Sequence, residues 1–296
     1  MREKTIAFIG FGEAAQAFVR GWRSEGLDLP IVAYDLLLDD GATAAIKRAE
    51  CAVLEVRPAA SASDAASGAD IIISAVTADQ VGEAARSILP AVRPGHFFLD
   101  INSAAPFRKA AAAETVAAHA AQVVDVAVMS PVHPKLHKTP LLLSGPGASA
   151  IAPFLSDLKM NIEVVSDQLG DASTVKMVRS IAIKGFESVI TECVVAAVKL
   201  GVADRVLPTI GDYLAGKDFL TLANHVMERV AVHGRRRAAE MREVVATLEE
   251  AGLTRHMPTG TATHQQGIAD LDLAGHFGGK VPGDHRAIAD AILKLQ

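Results

Sequence analysis

The sequence predicts an α/β fold: an N-terminal Rossmann dinucleotide-binding domain, then an all-α C-terminal domain, joined by one long helix. Three observations lead there. Short Val- and Ile-rich runs recur through the first half, a glycine-rich turn follows the first of them, and strand-like runs give way near residue 168 to long helical patterns. The domains expected are therefore 1–168, binding the dinucleotide, and 169–296, helical, for substrate binding and dimerisation. A chain of 296 residues is about twice a typical domain length. Half of its residues are hydrophobic, enough for a substantial core.

The strand-like runs are TIAFIG, IVAYD, CAVLEV, DIIISAV, HFFLDI, QVVDVAV, PLLLSG and NIEVVS. They are nearly continuous rather than alternating, as strands buried on both faces read. Ala-rich stretches such as EAAQAFVRGWRSEG and DQVGEAARSIL lie between most of them, and the stretch 109–121 is helix-forming composition. Alternating strand and helix gives a parallel sheet with helices on both faces. SPVHPKLHKT, between the sixth and seventh runs, is a poor helix and is expected to be a loop. The long helix opens near Asp171 or Ser173, either of which can cap it, and stops near Gly201. At roughly thirty residues it would span about 45 Å, a length suited to joining domains or packing across a dimer.

Charge and composition exclude several functions. A net charge of −5 provides no basic surface for nucleic acid or an anionic membrane. No apolar run reaches about 18 residues, so no membrane span is expected. Cys51 and Cys193 form no disulfide framework, and TIAFIG follows the N-terminus without a signal-peptide pattern. A cytoplasmic protein is the expectation. The histidines show no zinc-binding spacing, so no metal is expected.

The first strand ends in Gly10-Phe11-Gly12-Glu13-Ala14-Ala15, the G-x-G-x-x-A form of the dinucleotide fingerprint. Gly10 allows the tight turn, Gly12 lets a pyrophosphate approach the backbone, and Ala15 lets the helix pack on the strand. The N-terminus of that helix offers free N–H groups to the phosphates. A second strand ends in Asp35, whose carboxylate accepts from a ribose 2′-hydroxyl and repels a 2′-phosphate, which favours NAD over NADP. Val76 and Thr77, just past the fourth strand, should border the same cofactor site. The plain alternative is a glycine turn beside a surface aspartate.

After the fifth strand comes Asp100-Ile101-Asn102-Ser103-Ala104-Ala105-Pro106. Loops at the carboxyl ends of a parallel sheet face the ligand crevice, so Asn102 and Ser103 would stand over the nicotinamide; they could equally cap the helix that Pro106 opens. Farther on, Lys176 lies near the start of the long helix, and steps of three and four from it reach Arg179, Ser180, Lys184, Glu187, Ser188 and Thr191. That polar stripe is either a solvated face or an active-site face, and the helix alone leaves both open.

Together, G-x-G-x-x-A, D-x-N-S-x-x-P and the V-K-M-V helix start resemble the β-hydroxyacid dehydrogenase family, which includes 3-hydroxyisobutyrate dehydrogenase, tartronate semialdehyde reductase and 6-phosphogluconate dehydrogenase. The likeness covers essentially the whole chain, and HPKLHKTPLLLSG and VKMVRSIAIKG look closest to a poorly characterised phosphogluconate-dehydrogenase-like branch. The resemblance implies that Lys176 is the general acid/base and that Ser103 helps hold the substrate. Beside a cationic nicotinamide and partly desolvated, such a lysine gives up its proton more readily and can act as base, then donate in the reverse direction.

Two departures from the family stand out. Relatives read roughly P-V-S-G-G after the sixth strand, whereas here Met129-Ser130-Pro131-Val132-His133-Pro134 lacks the glycine pair. Ser130, His133, His137 or Lys138 could replace its backbone donors, or simply decorate a proline-rigid loop. Ser180 stands where the family has an asparagine, one turn past Lys176, and is expected to orient substrate oxygens. Ile183 stands where decarboxylating members carry a glutamate, which argues against that route. Arg237, one turn from His233, could bind a substrate carboxylate; a charged surface helix with Glu240 and Glu243 as partners explains the same residues.

The function expected is hydride transfer between NAD and a small 3-hydroxy acid or sugar acid by a homodimer. An imine reductase on the same scaffold is the first rival, although those relatives often replace the lysine. A non-catalytic NAD-binding sensor is the second, and would need Asp35 and the glycine turn but not Lys176.

Overall fold

The computed structural model describes residues 4–296 and divides into two compact units, one ending at Ile181 and the other spanning Ala182–Gln296. The first holds eight strands: β1 (Ile6–Ile9), β2 (Ile31–Tyr34), β3 (Arg57–Pro58), β4 (Ile71–Ser74), β5 (Phe97–Asp100), β6 (Gln122–Val128), β7 (Leu141–Ser144) and β8 (Ile162–Ser166). Its helices are α1 (Glu13–Ser24), α2 (Ala44–Val53), α3 (Ala62–Ser67), α4 (Val81–Ile88), α5 (Pro106–Ala117) and α6 (Ala148–Asp157). The strands form one sheet in the order β3-β2-β1-β4-β5-β6-β7-β8. The long helix α7 (Asp171–Lys199) starts in this unit and ends in the next.

Successive residues of β1 feed opposite layers. Ile6 and Phe8 pack with Phe18 and Trp22 of α1, while Ala7 and Ile9 pack with Ala65, Ala85 and Ile88 on the other face. Both faces are thus buried, and that accounts for the unbroken apolar runs.

Two elements differ from expectation. CAVLEV is not a strand: residues 51–53 finish α2, where Cys51 is fully buried, and only Arg57–Pro58 pairs with β2 at the sheet edge. Short apolar runs fit either period, and Lys47, Cys51 and Leu54 fall on one buried helical face. The sheet is also mixed rather than wholly parallel, since β7 runs antiparallel to β6. The segment between them holds only a 3-10 turn, Leu136–Lys138, and without a crossover helix the chain can only fold back.

That 3-10 turn packs against α1 at Gly21, where an added Cβ would lie 2.0 Å from His137 Nδ1. The His137 ring is buried, and neither nitrogen has a partner among the described residues; the same holds for His96. Burial lowers the pKa of both, so both are neutral in the fold. The unfolded chain binds protons on them below about pH 6.5, so their contribution to stability is complete above that pH and declines as pH falls. The urea midpoint should therefore drop from pH 7.5 to 5.5, and less steeply in His137→Gln. An unchanged slope in that variant would remove His137 from the account.

The second unit comprises the end of α7 with α8 (Ala203–Leu214), α9 (Phe219–Glu250), α10 (His256–Asp270), α11 (Leu273–His276) and α12 (His285–Leu295). Ile268, Leu273, Val281, Ile288 and Ala291 form its core. Gly234 lets α9 and α10 meet closely: a Cβ there would lie 2.8 Å from the Gln265 carbonyl oxygen. Among the described residues, no helix is long and apolar enough to cross a membrane.

Candidate functional site

The carboxyl ends of β1, β2 and β4 enclose a cleft of about 620 Å³. Gly10, Gly12 and Glu13 line one side, Tyr34, Asp35, Leu36 and Leu37 a second, and Val76 and Thr77 a third. Gly10 has φ +87°, and a Cβ on it would meet the Ala75 carbonyl oxygen at 2.3 Å, so only glycine makes this turn. Nothing lies within 4 Å of a Cβ built on Gly12, which leaves the start of α1 open to a pyrophosphate. Asp35 braces the turn, accepting from Phe11 N at 2.7 Å and from Leu37 N at 3.0 Å. Phe11 and Ala15 turn their side chains into the core and Ala14 packs partly against it, so these three shape the site through backbone and packing. The Lys47 ammonium is turned from the cleft toward the Phe11 carbonyl and Glu50. These features fit a dinucleotide.

The β5 loop abuts this cleft. Val76 N donates to Asn102 Oδ1 at 2.6 Å, and Asn102 Nδ2 donates to Ser74 Oγ at 2.9 Å. Asn102 is buried with both ends of its amide engaged, so it holds the loop of Val76 and Thr77 in place. Ser103 beside it is exposed, and Lys176 Nζ donates to Ser103 Oγ at 2.5 Å. Lys176 is half-buried. Serine, asparagine and Val76 thus link the lysine to the cofactor cleft.

A buried network sets where Lys176 stands. Asp125, inside β6, accepts from Ser173 N at 2.9 Å and Ser173 Oγ at 2.6 Å, while Ser144 Oγ accepts from Ala172 N at 3.0 Å. The first turn of α7 is capped by groups from β6 and β7. Lys109 of α5 reaches Asp125 Oδ1 at 2.6 Å and Asp100 Oδ1 at 3.6 Å, with exposures of only 1–2% for all three. Asp100 Oδ1 also accepts from Asn102 N at 2.8 Å. Burial pushes the Asp100 carboxyl up, against the pull of Lys109. The same ion cluster therefore anchors the loop bearing Ser103 and the helix bearing Lys176.

The remaining sequence candidates lie as follows. Ser180 Oγ donates to the Lys176 carbonyl at 2.9 Å, a local helical bond. Ser130 Oγ meets Thr139 Oγ1 at 2.8 Å inside its own loop, and His133 is exposed on that loop. His137 is buried against α1, and Lys138 pairs with Glu25. Arg237 belongs to the second unit, where its neighbours Arg235 and Arg236 pair with Asp270 at 3.6 Å and Glu240 at 2.7 Å. Those pairs are what a charged surface helix makes. Sequence reasoning missed Lys109 and Asp125, and it read Ser173 only as a possible cap of the long helix. The legible signal was a charge inside an apolar strand, QVVDVAV, and another inside an alanine-rich helix, since buried charges come paired.

A family described as NADP oxidoreductase, coenzyme F420-dependent, matches residues 5–104, and a domain of unknown function, DUF1932, matches residues 197–268. A conserved hypothetical protein from Sinorhizobium meliloti 1021 is 34% identical, with 99% of this chain and 97% of that one covered and a TM-score of 0.61. The conserved protein MTH1747, described as structurally similar to 3-hydroxyacid dehydrogenases, is 31% identical over 92% of this chain and 99% of its own, with a TM-score of 0.58. An imine reductase from Myxococcus stipitatus in complex with NADP+ shares the fold at 16% identity, a TM-score of 0.68, and coverage of 97% and 99%. The full-length likeness to MTH1747, the NAD(P)-binding Rossmann half and the helical DUF1932 region make this chain an NAD(P)-binding member of the β-hydroxyacid dehydrogenase family.

Proposed function

We propose that the protein is an NAD-dependent dehydrogenase or reductase of a small 3-hydroxy acid or sugar acid, with Lys176 as general acid/base. The observation that carries this reading is the Lys176–Ser103 hydrogen bond of 2.5 Å, one residue from the asparagine that grips the edge of the dinucleotide cleft. A bound nicotinamide would supply the hydride chemistry. Lys176 would accept the substrate hydroxyl proton in oxidation and return it in reduction. Ser103 would hold the same oxygen, and the Asp125 cap would keep the amine in place.

NAD is favoured over NADP by the charges around the cleft. Asp35, Glu13 and Glu83 line it, and among the described residues no lysine or arginine does. A 2′-phosphate would meet negative charge without a compensating cation. The matching family description and the imine reductase complex name NADP instead, so both cofactors belong in the test. Two free thiols, Cys51 and Cys193, fit a reducing, cytoplasmic setting.

A homodimer is part of the same proposal. In the second unit, Ile190, Val195 and Val198 of α7 and Phe219 and Leu220 of α9 are 50–64% exposed, apolar side chains that a second copy of the chain would cover.

The test is to mix the purified protein with NAD or NADP and a panel of 3-hydroxy and sugar acids, and with the reduced cofactors and cyclic imines, following the reduced ring by absorbance. Turnover of an acid with NAD, by a species of twice the chain mass in light scattering, is the expected result. Turnover of imines alone would move the protein to imine reduction, and cofactor binding without turnover would make it a sensor.

A further inference from the structure

We infer that Arg179 is the group that reads the carboxylate of the substrate, an assignment that rests on the hydroxy-acid reading above. The loop after β6, residues 129–138, lacks the glycine pair whose backbone donors would otherwise grip an acid. Three of its polar side chains are engaged elsewhere, His137 buried against α1, Lys138 held by Glu25 and Ser130 bonded to Thr139, which leaves His133 and Lys135 exposed on the loop. A further cation reaches this loop from the helix. Arg179 Nη1 donates to the Met129 carbonyl at 3.1 Å, which brings the guanidinium to the start of the loop.

Arg179 lies three residues after Lys176, on the same face of α7, where side chains come within roughly 5–6 Å at Cβ. Arg179 thus carries a permanent positive charge one turn from the proposed proton carrier. Arg179 is exposed, and among the described residues its guanidinium has one hydrogen bond and no carboxylate within salt-bridge distance. An arginine carries five N–H donors in a planar fork that matches a carboxylate. The Met129 bond fixes one arm and leaves the others for a ligand. A substrate with its hydroxyl on Lys176 and Ser103 and its carboxylate on Arg179 would be held at two points, which fixes the carbon between them over the ring.

The experiment compares Arg179→Met with wild type on a hydroxy acid and on its neutral amide. The position is exposed and its one bond is to a carbonyl, so the variant should fold and bind cofactor as before. The wild type should prefer the acid, and the variant should lose roughly 10- to 100-fold in kcat/KM for the acid and little for the amide. Arg179→Lys should restore part of the preference. An acid preference kept in full by Arg179→Met overturns the assignment and leaves the dehydrogenase reading standing. If the wild type turns over no hydroxy acid, that reading fails, and calorimetry with malonate and NAD then decides the anion site: binding lost in Arg179→Met upholds it, and no binding by the wild type overturns it.

Discussion

Replacing Lys176 by methionine is expected to lower kcat by about 10²- to 10⁴-fold, the usual contribution of a positioned general acid/base. Methionine keeps the length and apolar stem of lysine and removes only the proton carrier. The dinucleotide cleft is built from β1, β2, β4 and their loops, none of which Lys176 lines, so NAD affinity should stay at the wild-type value. The check is a pair of measurements on one preparation: NAD binding by calorimetry and turnover of the best acid by absorbance. Loss of both together would mean that Lys176 supports the cleft and is not a proton carrier.

Asp125→Ala should have the largest effect on stability. It leaves the Lys109 ammonium, 1% exposed, without its 2.6 Å partner and strips the cap from the start of α7. Breaking one side of a buried pair costs about 3–5 kcal/mol, a large share of a typical folding free energy. The double variant Asp125→Ala with Lys109→Met removes the stranded charge and should recover part of the loss, because the bare ion is what costs most. Urea midpoints of the two variants test this. A double variant no more stable than the single one would show that the lost cap on α7 dominates, and not the unpaired lysine.

Much of this architecture was legible in the sequence because its signals are local. A glycine turn between an apolar run and a helix requires only neighbouring residues, and Gly10 and Gly12 line the cleft as that spacing implies. The start and length of α7 were legible for the same reason: Asp171 opens it and Gly201, at φ +69°, follows its end. What the sequence hid depends on distant partners. The cap of α7 comes from Asp125 on β6 and Ser144 on β7, and no spacing within the helix reveals that. The bonds of the Asn102 amide to Val76 and Ser74 are hidden in the same way, because they join β5 to β4 across the sheet. CAVLEV misled because its six residues satisfy a strand or the last turns of a helix equally well. Arg179 was visible as part of a polar stripe, but its reach to Met129 depends on how the loop after β6 folds back.

The most direct test of the central claim, that the Lys176 amine at Ser103 carries the proton for nicotinamide chemistry, is chemical rescue. Lys176→Ala, assayed with NAD and the preferred hydroxy acid, should be nearly inactive and should regain activity in proportion to added methylamine. Full turnover by the alanine variant without any added amine would contradict the account.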